Sequence, residues 1–279
     1  MYEKILVTLD GSALAEMALP FVEEIAGKMG SEIIMLSVAE STEASEYHKS
    51  QLDVERVIND TRRHAEKYLK PSEKREIRVT AATVVGNPAE EIVNFAERED
   101  IGLIVMATHG ISGIRRWAVG SVADKVLRVA EQPVALIRAK VVKRKSRGHD
   151  ILNRLMVALD GSKKSEAVLP SVIELARRMA LEVILVQVVP ESGRVSADAE
   201  GYLVKMTDAL HKKGINVRFE VRVDDAAADE IIRMADEIGA DMVAMATHGR
   251  SGVGRWSLGS VADKVIQGGS TPVFLVSAR

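Results

Sequence analysis

Two short stretches, each present twice, hold the residues whose types and spacing suit chemistry. The first is Asp10-Gly11-Ser12, a carboxylate and a hydroxyl on a glycine turn directly after the apolar run that starts at Ile5; it recurs as Asp160-Gly161-Ser162. The second runs from Ala107-Thr108-His109-Gly110 through Ser112-Gly113 to Gly120-Ser121. It recurs as Ala246-Thr247-His248-Gly249 through Ser251-Gly252 to Gly259-Ser260. Between Ala107–Val126 and Ala246–Val265, 15 of 20 positions are identical, which marks an internal repeat. Gly110 and Gly120 let backbone approach a ligand with no Cβ in the way. Gly120-Ser121 opens a helix-patterned segment, and the first amides of a helix lack internal partners and carry partial positive charge. Together they make an anion cradle of the kind that suits phosphate. A plainer reading stands beside it: Ser121 with Asp124 three residues on is spaced as a helix cap, and glycines also simply make turns.

Other chemistries find less support. His109 and His248 have no carboxylate or nucleophile at a defined spacing and are read as orienting their loop. Ser112 and Ser251 lie in Gly-x-Ser-Gly, which is not the Gly-x-Ser-x-Gly nucleophile elbow. No Gly-x4-Gly-Lys-Ser/Thr run is present, which argues against a P-loop ATPase. The six histidines show no metal-ligand spacing. Trp117 and Trp256 are read as packing the long loop, and Arg116 and Arg255 beside them are within reach of a triphosphate or simply solvated.

Composition sets the frame for these loops. The 279 residues suggest two domains, and 47% apolar with 28% charged residues is a globular balance. A net charge of −2 argues against a dedicated nucleic-acid binder. The absence of cysteine excludes disulfides, cysteine nucleophiles and Cys-ligated zinc. No run approaches the roughly 20 apolar residues of a membrane span, and the N-terminal apolar run is too short for a signal peptide. A soluble, cytoplasmic protein without membrane contact is expected.

The repeat organises the elements. The first copy reads as strands Lys4–Leu9, Ile33–Val38, Arg78–Val85, Leu103–Ala107 and Val134–Arg138. They alternate with helices Ala13–Met29, Glu46–Leu69, Pro88–Glu99 and Ser121–Ala130. The second copy repeats the order, with strands near Leu155–Leu159, Val183–Val189, Asn216–Val223, Met242–Ala246 and Val273–Ser277. Nearly continuous Val/Ile/Leu strands are covered on both faces, as in parallel sheets with helical crossovers. The expected fold is α/β: two tandem, doubly wound, Rossmann-like domains of five parallel strands. Domain one is assigned to 1–140 and domain two to 151–279, joined by a basic, solvated linker at 141–150. Ligand space is expected at the carboxyl edge of each sheet, where the strand order reverses.

The spacing Gly-x2-Gly-x9-Gly-Ser/Thr after a strand and before a helix, Asp10-Gly11-Ser12 after the first strand, and Gln132-Pro133-Val134 before the last together resemble the universal stress protein family. The resemblance spans nearly the whole chain as two tandem family domains. It implies a strand order of 3-2-1-4-5 and, as in many members, binding of ATP or a related nucleotide (ADP or AMP). It implies that Asp10 meets the ribose or adenine end, that the Val38 backbone holds the adenine edge, and that Gly110, Gly120 and Ser121 bind phosphates. Asp160, Val188, Gly249, Gly259 and Ser260 take those roles in the second copy. From the residues alone, Asp10 closing an Asx turn remains an alternative. The sequence departs from the pattern at the first motif glycine, which is Ala107 and Ala246. It departs again where Gly86-Asn87-Pro88-Ala89 becomes Asp225-Ala226-Ala227-Ala228; a like charge at Asp225 would weaken the second site.

The resemblance also implies that the last strands of the two domains pair, which gives an intrachain pseudo-dimer, and a homodimer of whole chains remains open. The leading expectation is a nucleotide-responsive stress or regulatory module rather than a fast enzyme. The rivals are a slow ATP hydrolase or phosphate-transfer protein, with magnesium and with Asp10 and His109 as its candidates, and a nucleotide-free interaction scaffold.

Overall fold

The computed structural model describes residues 2–41, 54–69, 76–108, 119–138, 150–191, 195–248 and 258–278. The chain divides into two compact units, Met1–Ile151 and Leu152–Arg279. In the first, strands β1 (Lys4–Thr8), β2 (Glu32–Ala39), β3 (Val79–Val85), β4 (Leu103–Ala107) and β5 (Val134–Ile137) alternate with helices. These are α1 (Leu19–Met29), α2 (Val54–Glu66), α3 (Pro88–Arg98) and α4 (Ser121–Val129). The second unit repeats this with β6 (Arg154–Ala158), β7 (Glu182–Val189), β8 (Asn216–Val223), β9 (Met242–Ala246) and β10 (Val273–Val276). Its helices are α5 (Leu169–Met179), α6 (Val195–His211), α7 (Ala227–Ile238) and α8 (Ser260–Gly268).

Within the first unit the strands lie in the order β3-β2-β1-β4-β5, and within the second β8-β7-β6-β9-β10. Every pairing described within a unit is parallel. Both units are therefore Rossmann-like, with the reversal of strand order between β1 and β4 and between β6 and β9, as the resemblance implied. The central strands are buried on both faces: Ile5, Leu6, Val7, Leu103, Ile104 and Val105 have no exposed surface. That explains why they read as unbroken apolar runs rather than as alternation.

Local chemistry shifts some boundaries. The helix expected over 13–29 is a 3-10 turn, Ala15–Ala18, followed by α1 from Leu19. Pro20 lies in the first turn of α1, where its missing N–H costs no hydrogen bond. Pro170 does the same in α5. Of the helix expected over 46–69, Val54–Glu66 is helical, and residues 46–53 lie outside the described ones. The cap read from Ser121 and Asp124 does not form. Gly120 is the N-cap, no side chain caps the helix, and Asp124 instead pairs with Arg128 one turn on at 2.8 Å.

The far end of the connecting segment is tied to the first unit. The Ile151 amide donates to Glu24 Oε2 at 2.6 Å, and Lys28 Nζ bridges Glu24 at 2.8 Å and Asp150 at 2.9 Å. A buried carboxylate on α1 thus holds the far end of the connecting segment. Helix α1 in turn lies so close to α2 that a Cβ on Gly27 would stand 2.2 Å from the Ala65 carbonyl oxygen.

Candidate functional site

The site is set by register. Thr8 on β1 pairs with Leu36 on β2, and Val7 pairs with Val105 on β4. Two and three residues further along, Asp10, Val38 and Thr108 stand level with one another at the carboxyl edge. This is the switch point of the sheet, where α/β folds open a crevice for ligand. The second unit repeats the geometry: Ala158 pairs with Val186 and Val157 with Ala244, so Asp160, Val188 and Thr247 stand level. Ala107 and Ala246 end β4 and β9 one residue before those threonines.

Asp10 is held by its own turn. Its Oδ1 accepts the Ser12 amide at 3.0 Å and the Ser12 hydroxyl at 2.6 Å, and Ser12 Oγ accepts the Ala15 amide at 3.1 Å. Gly11 sits at φ +81°, a left-handed conformation that favours glycine. In the second unit Asp160 Oδ1 accepts the Ser162 amide at 2.9 Å, and Gly161 has φ +82°. The Asx turn considered for Asp10 is therefore present. It also fixes the carboxylate at the crevice, so the turn and a ligand role are compatible.

The long loop is closed at its base. The Gly120 amide donates to the Thr108 carbonyl at 2.8 Å, and the Thr108 amide donates to the Ile137 carbonyl at 3.0 Å. In the second unit Gly259 donates to Thr247 at 2.8 Å and Thr247 to Val276 at 2.9 Å. Each clasp delivers the start of α4 or α8 to the crevice. Gly120 has φ −61° and ψ 149°, and Gly259 has φ −60° and ψ 146°, a conformation open to every residue. Backbone geometry therefore does not require glycine at either N-cap. What glycine supplies is the absence of a side chain, so no cap occupies the first-turn amides of Ser121 and Ser260.

Thr108 and Thr247 are buried residues that the sequence reading did not single out. Their signal was their identity in both copies between the strand end and the loop. Some buried polar atoms on the strands that end at this edge lack partners. Ser37 Oγ and Gln187 Oε1 hold equivalent positions immediately before Val38 and Val188, and neither has a hydrogen-bond partner. His248 Nδ1 lies 3.1 Å from Thr247 Oγ1, while its buried Nε2 has no partner. Arg138 follows β5, level with Thr108. Its buried Nε and Nη2 lack partners, and burial brings it down to about 10, still charged at neutral pH. Ser277 holds that position in the second unit.

The second crevice differs in a further way. The Tyr202 hydroxyl on α6 lies 3.4 Å from Glu166 Oε1, and burial, with Glu166 and Asp160 adding, pushes it well above the ordinary phenol range. Asp225 stands at the end of the outer strand β8, where its Oδ1 accepts the Glu191 amide at 3.1 Å. That is the same edge but two strands from Asp160. Of the expected site residues, Gly110 and Gly249 lie outside the described residues, as do His109, Ser112, Arg116, Trp117, Ser251, Arg255 and Trp256.

Comparison with known proteins agrees with this architecture. Residues 1–138 and 152–277 each match the universal stress protein family. A universal stress protein of Methanocaldococcus jannaschii is 29% identical over 157 residues, spanning 50% of this chain and 97% of that protein. One from Bacillus subtilis is 29% identical over 148 residues, spanning 50% of this chain and 100% of that protein. The whole chain also shares its fold with the crystal structure of a universal stress protein from Archaeoglobus fulgidus, with a TM-score of 0.76 at 22% identity and full coverage of both chains. No helix among the described residues is long and apolar enough to cross a membrane. Two family matches in one chain, on two units with the same strand order and the same clasped loop, make this protein a tandem member of the universal stress protein family.

Proposed function

We propose that each half binds an adenine nucleotide, ATP or its diphosphate or monophosphate, and that the chain acts as a nucleotide-responsive stress or regulatory module. Phosphates rest on the first-turn amides at Gly120-Ser121 and Gly259-Ser260, with Gly110 and Gly249 of the loops completing the cradle. The ribose or adenine end meets Asp10 and Asp160, and the adenine edge lies along the backbone of Val38 and Val188. Ala107 and Ala246 stand where the family motif has glycine; each adds one methyl group at the strand end. Domain one is taken as 1–140, domain two as 151–279 and the intervening 141–150 as the linker.

One observation carries this reading. Two helix starts at switch points have glycine N-caps whose dihedral angles do not demand glycine, and both stay uncapped. Glycine at the N-cap leaves the first-turn amides without a side-chain acceptor and forgoes a few tenths of a kcal/mol of helix stability relative to Ser, Thr or Asp. An anion repays it.

Calorimetric titration of the full chain with ATP, ADP and AMP, with and without magnesium, tests the reading, alongside mass spectrometry of the natively purified protein. Binding to two sites per chain is the expected result. A flat titration with all three nucleotides would favour the scaffold reading. Magnesium-dependent turnover would favour the hydrolase, for which phosphoryl transfer needs a positioned water or base.

A further inference from the structure

The outer strand of the first unit is built differently from its counterpart in the second. Strand β3 reads Val-Thr-Ala-Ala-Thr-Val-Val and carries no charge. Ala81, Thr83 and Val85 are exposed. The Ile33 amide donates to the Arg78 carbonyl, and the Gly86 amide donates to the Ala39 carbonyl, so even-numbered residues bond toward β2. A strand turns alternate residues to its two edges, so the amides and carbonyls of Val79, Ala81, Thr83 and Val85 point away from the sheet. No other described strand pairs with them. The matching strand β8 instead carries Arg218, Glu220 and Arg222. These are held in ion pairs with Glu182, with one another and with Glu237. Charged side chains are how natural sheets block an open edge.

We propose that the β3 edge is a self-association surface, at which a second copy of this chain adds its own β3 antiparallel across a twofold axis at Ala82. Identical edges related by such an axis pair residues of like parity. Centred on Ala82, Val79 meets Val85, Thr80 meets Val84, Ala81 meets Thr83, and Ala82 meets its own copy. The outward residues form the hydrogen-bonded pairs, β-branched side chains face one another, and no charge opposes a charge. Val79–Val85 itself carries no charge to select a foreign peptide, whereas a second copy matches the strand along its whole length. A seven-residue strand pair buries less than the roughly 1,200 Å² at the lower bound of stable interfaces, so the association is reversible and concentration-dependent.

The chain has no cysteine, so Ala82→Cys introduces a single thiol. In a non-hydrogen-bonded antiparallel pair the two Cα atoms stand about 4.5 Å apart, within disulfide range. Under mild oxidation Ala82→Cys is expected to give a covalent dimer, while Val204→Cys, an exposed position on α6, stays monomeric. In sedimentation, Thr83→Lys is expected to raise the dimer dissociation constant by roughly tenfold or more with an unchanged melting curve. A wild-type chain that stays monomeric at every concentration overturns the proposal. So does Ala82→Cys cross-linking no faster than Val204→Cys, or self-association that Thr83→Lys leaves intact.

Discussion

The carbonyl oxygen of Thr108 accepts the Gly120 amide at 2.8 Å, and the same bond joins Thr247 to Gly259 at the same length. This single contact ties the end of a central strand to the mouth of a helix. It brings the uncapped turn to the level of the Asp10 and Asp160 carboxylates. An aspartate placed at the N-cap sets two effects against each other. It accepts a first-turn amide and complements the helix dipole, which stabilises the helix by about 0.5–1 kcal/mol. It also fills the cradle with negative charge. Gly120→Asp is therefore expected to hold or raise the unfolding free energy while weakening nucleotide binding at the first site by roughly tenfold or more. Denaturant unfolding and calorimetry on the same sample measure both. Loss of stability and affinity together would mean that glycine is there for the fold.

Asp10 separates turn from ligand role. Asparagine keeps an acceptor oxygen for the Ser12 amide but loses the charge that strengthens a hydrogen bond to a ribose hydroxyl. Asp10→Asn is expected to melt like the wild type and to bind nucleotide about tenfold more weakly at the first site, because charged hydrogen bonds are worth about 1.5–3 kcal/mol. Unchanged affinity would leave Asp10 with the Asx turn alone.

The repeat also offers an internal control on backbone strain. Helix α1 ends at Gly30 with φ 70°, whereas α5 ends at Ala180 with φ 56° in the same left-handed conformation. A Cβ in that region costs about 1–2 kcal/mol per residue. Ala180→Gly is expected to stabilise the second unit by roughly 1 kcal/mol, and Gly30→Ala to destabilise the first by a similar amount. Denaturant midpoints of the two full-length variants should move in opposite directions. Gly27→Ala should destabilise more, by about 1–3 kcal/mol. The new methyl meets the Ala65 carbonyl and Tyr68, which outweighs alanine's helix preference of about 1 kcal/mol.

These positions show what was legible beforehand. The strand sequence, the repeat and the places of Asp10, Gly120 and Ser121 follow from patterns that only a buried parallel sheet with crossovers accommodates. The Ser121–Asp124 cap was misread because spacing does not say which residue is the N-cap. Gly120 took that position, which put Asp124 one residue too far along to reach back. Thr108 and Ser37 were missed because their meaning lies in burial and register across strands, which a single stretch of sequence does not display. The tie of the connecting segment to α1 was hidden for the same reason: Glu24 accepts the Ile151 amide 127 residues away.

Glu23 on α1 provides a pH test. Burial pushes its carboxyl above the ordinary 4.5, with His64 only partly opposing from 3.3 Å. The native state therefore holds this proton over a window above pH 4.5 in which the unfolded chain has released it. Stability must fall as pH rises through that window and stay lower beyond it. Glutamine is neutral throughout. The melting temperature of Glu23→Gln minus that of the wild type should therefore increase from pH 4 to pH 7.5. A difference that shrinks with rising pH would mean that the His64 pairing dominates burial.

The two sites should not bind equally. The first has Arg138 beside Thr108, a buried guanidinium whose Nε and Nη2 lack partners and which stays charged at neutral pH. An arginine in that state is costly without an anion. The second has Ser277 there, and Asp225 on the same edge where the first has Gly86. At these two positions the first half carries more positive and less negative charge than the second. With Gly259→Asp leaving only the first site and Gly120→Asp only the second, the first is expected to bind ATP at least as tightly. Adding Arg138→Ser to the Gly259→Asp chain should then bring its affinity down toward that of the second site, and more for ATP than for AMP. Equal loss for both nucleotides would place Arg138 away from the outer phosphates, and a second site that binds more tightly would reverse the electrostatic ranking altogether.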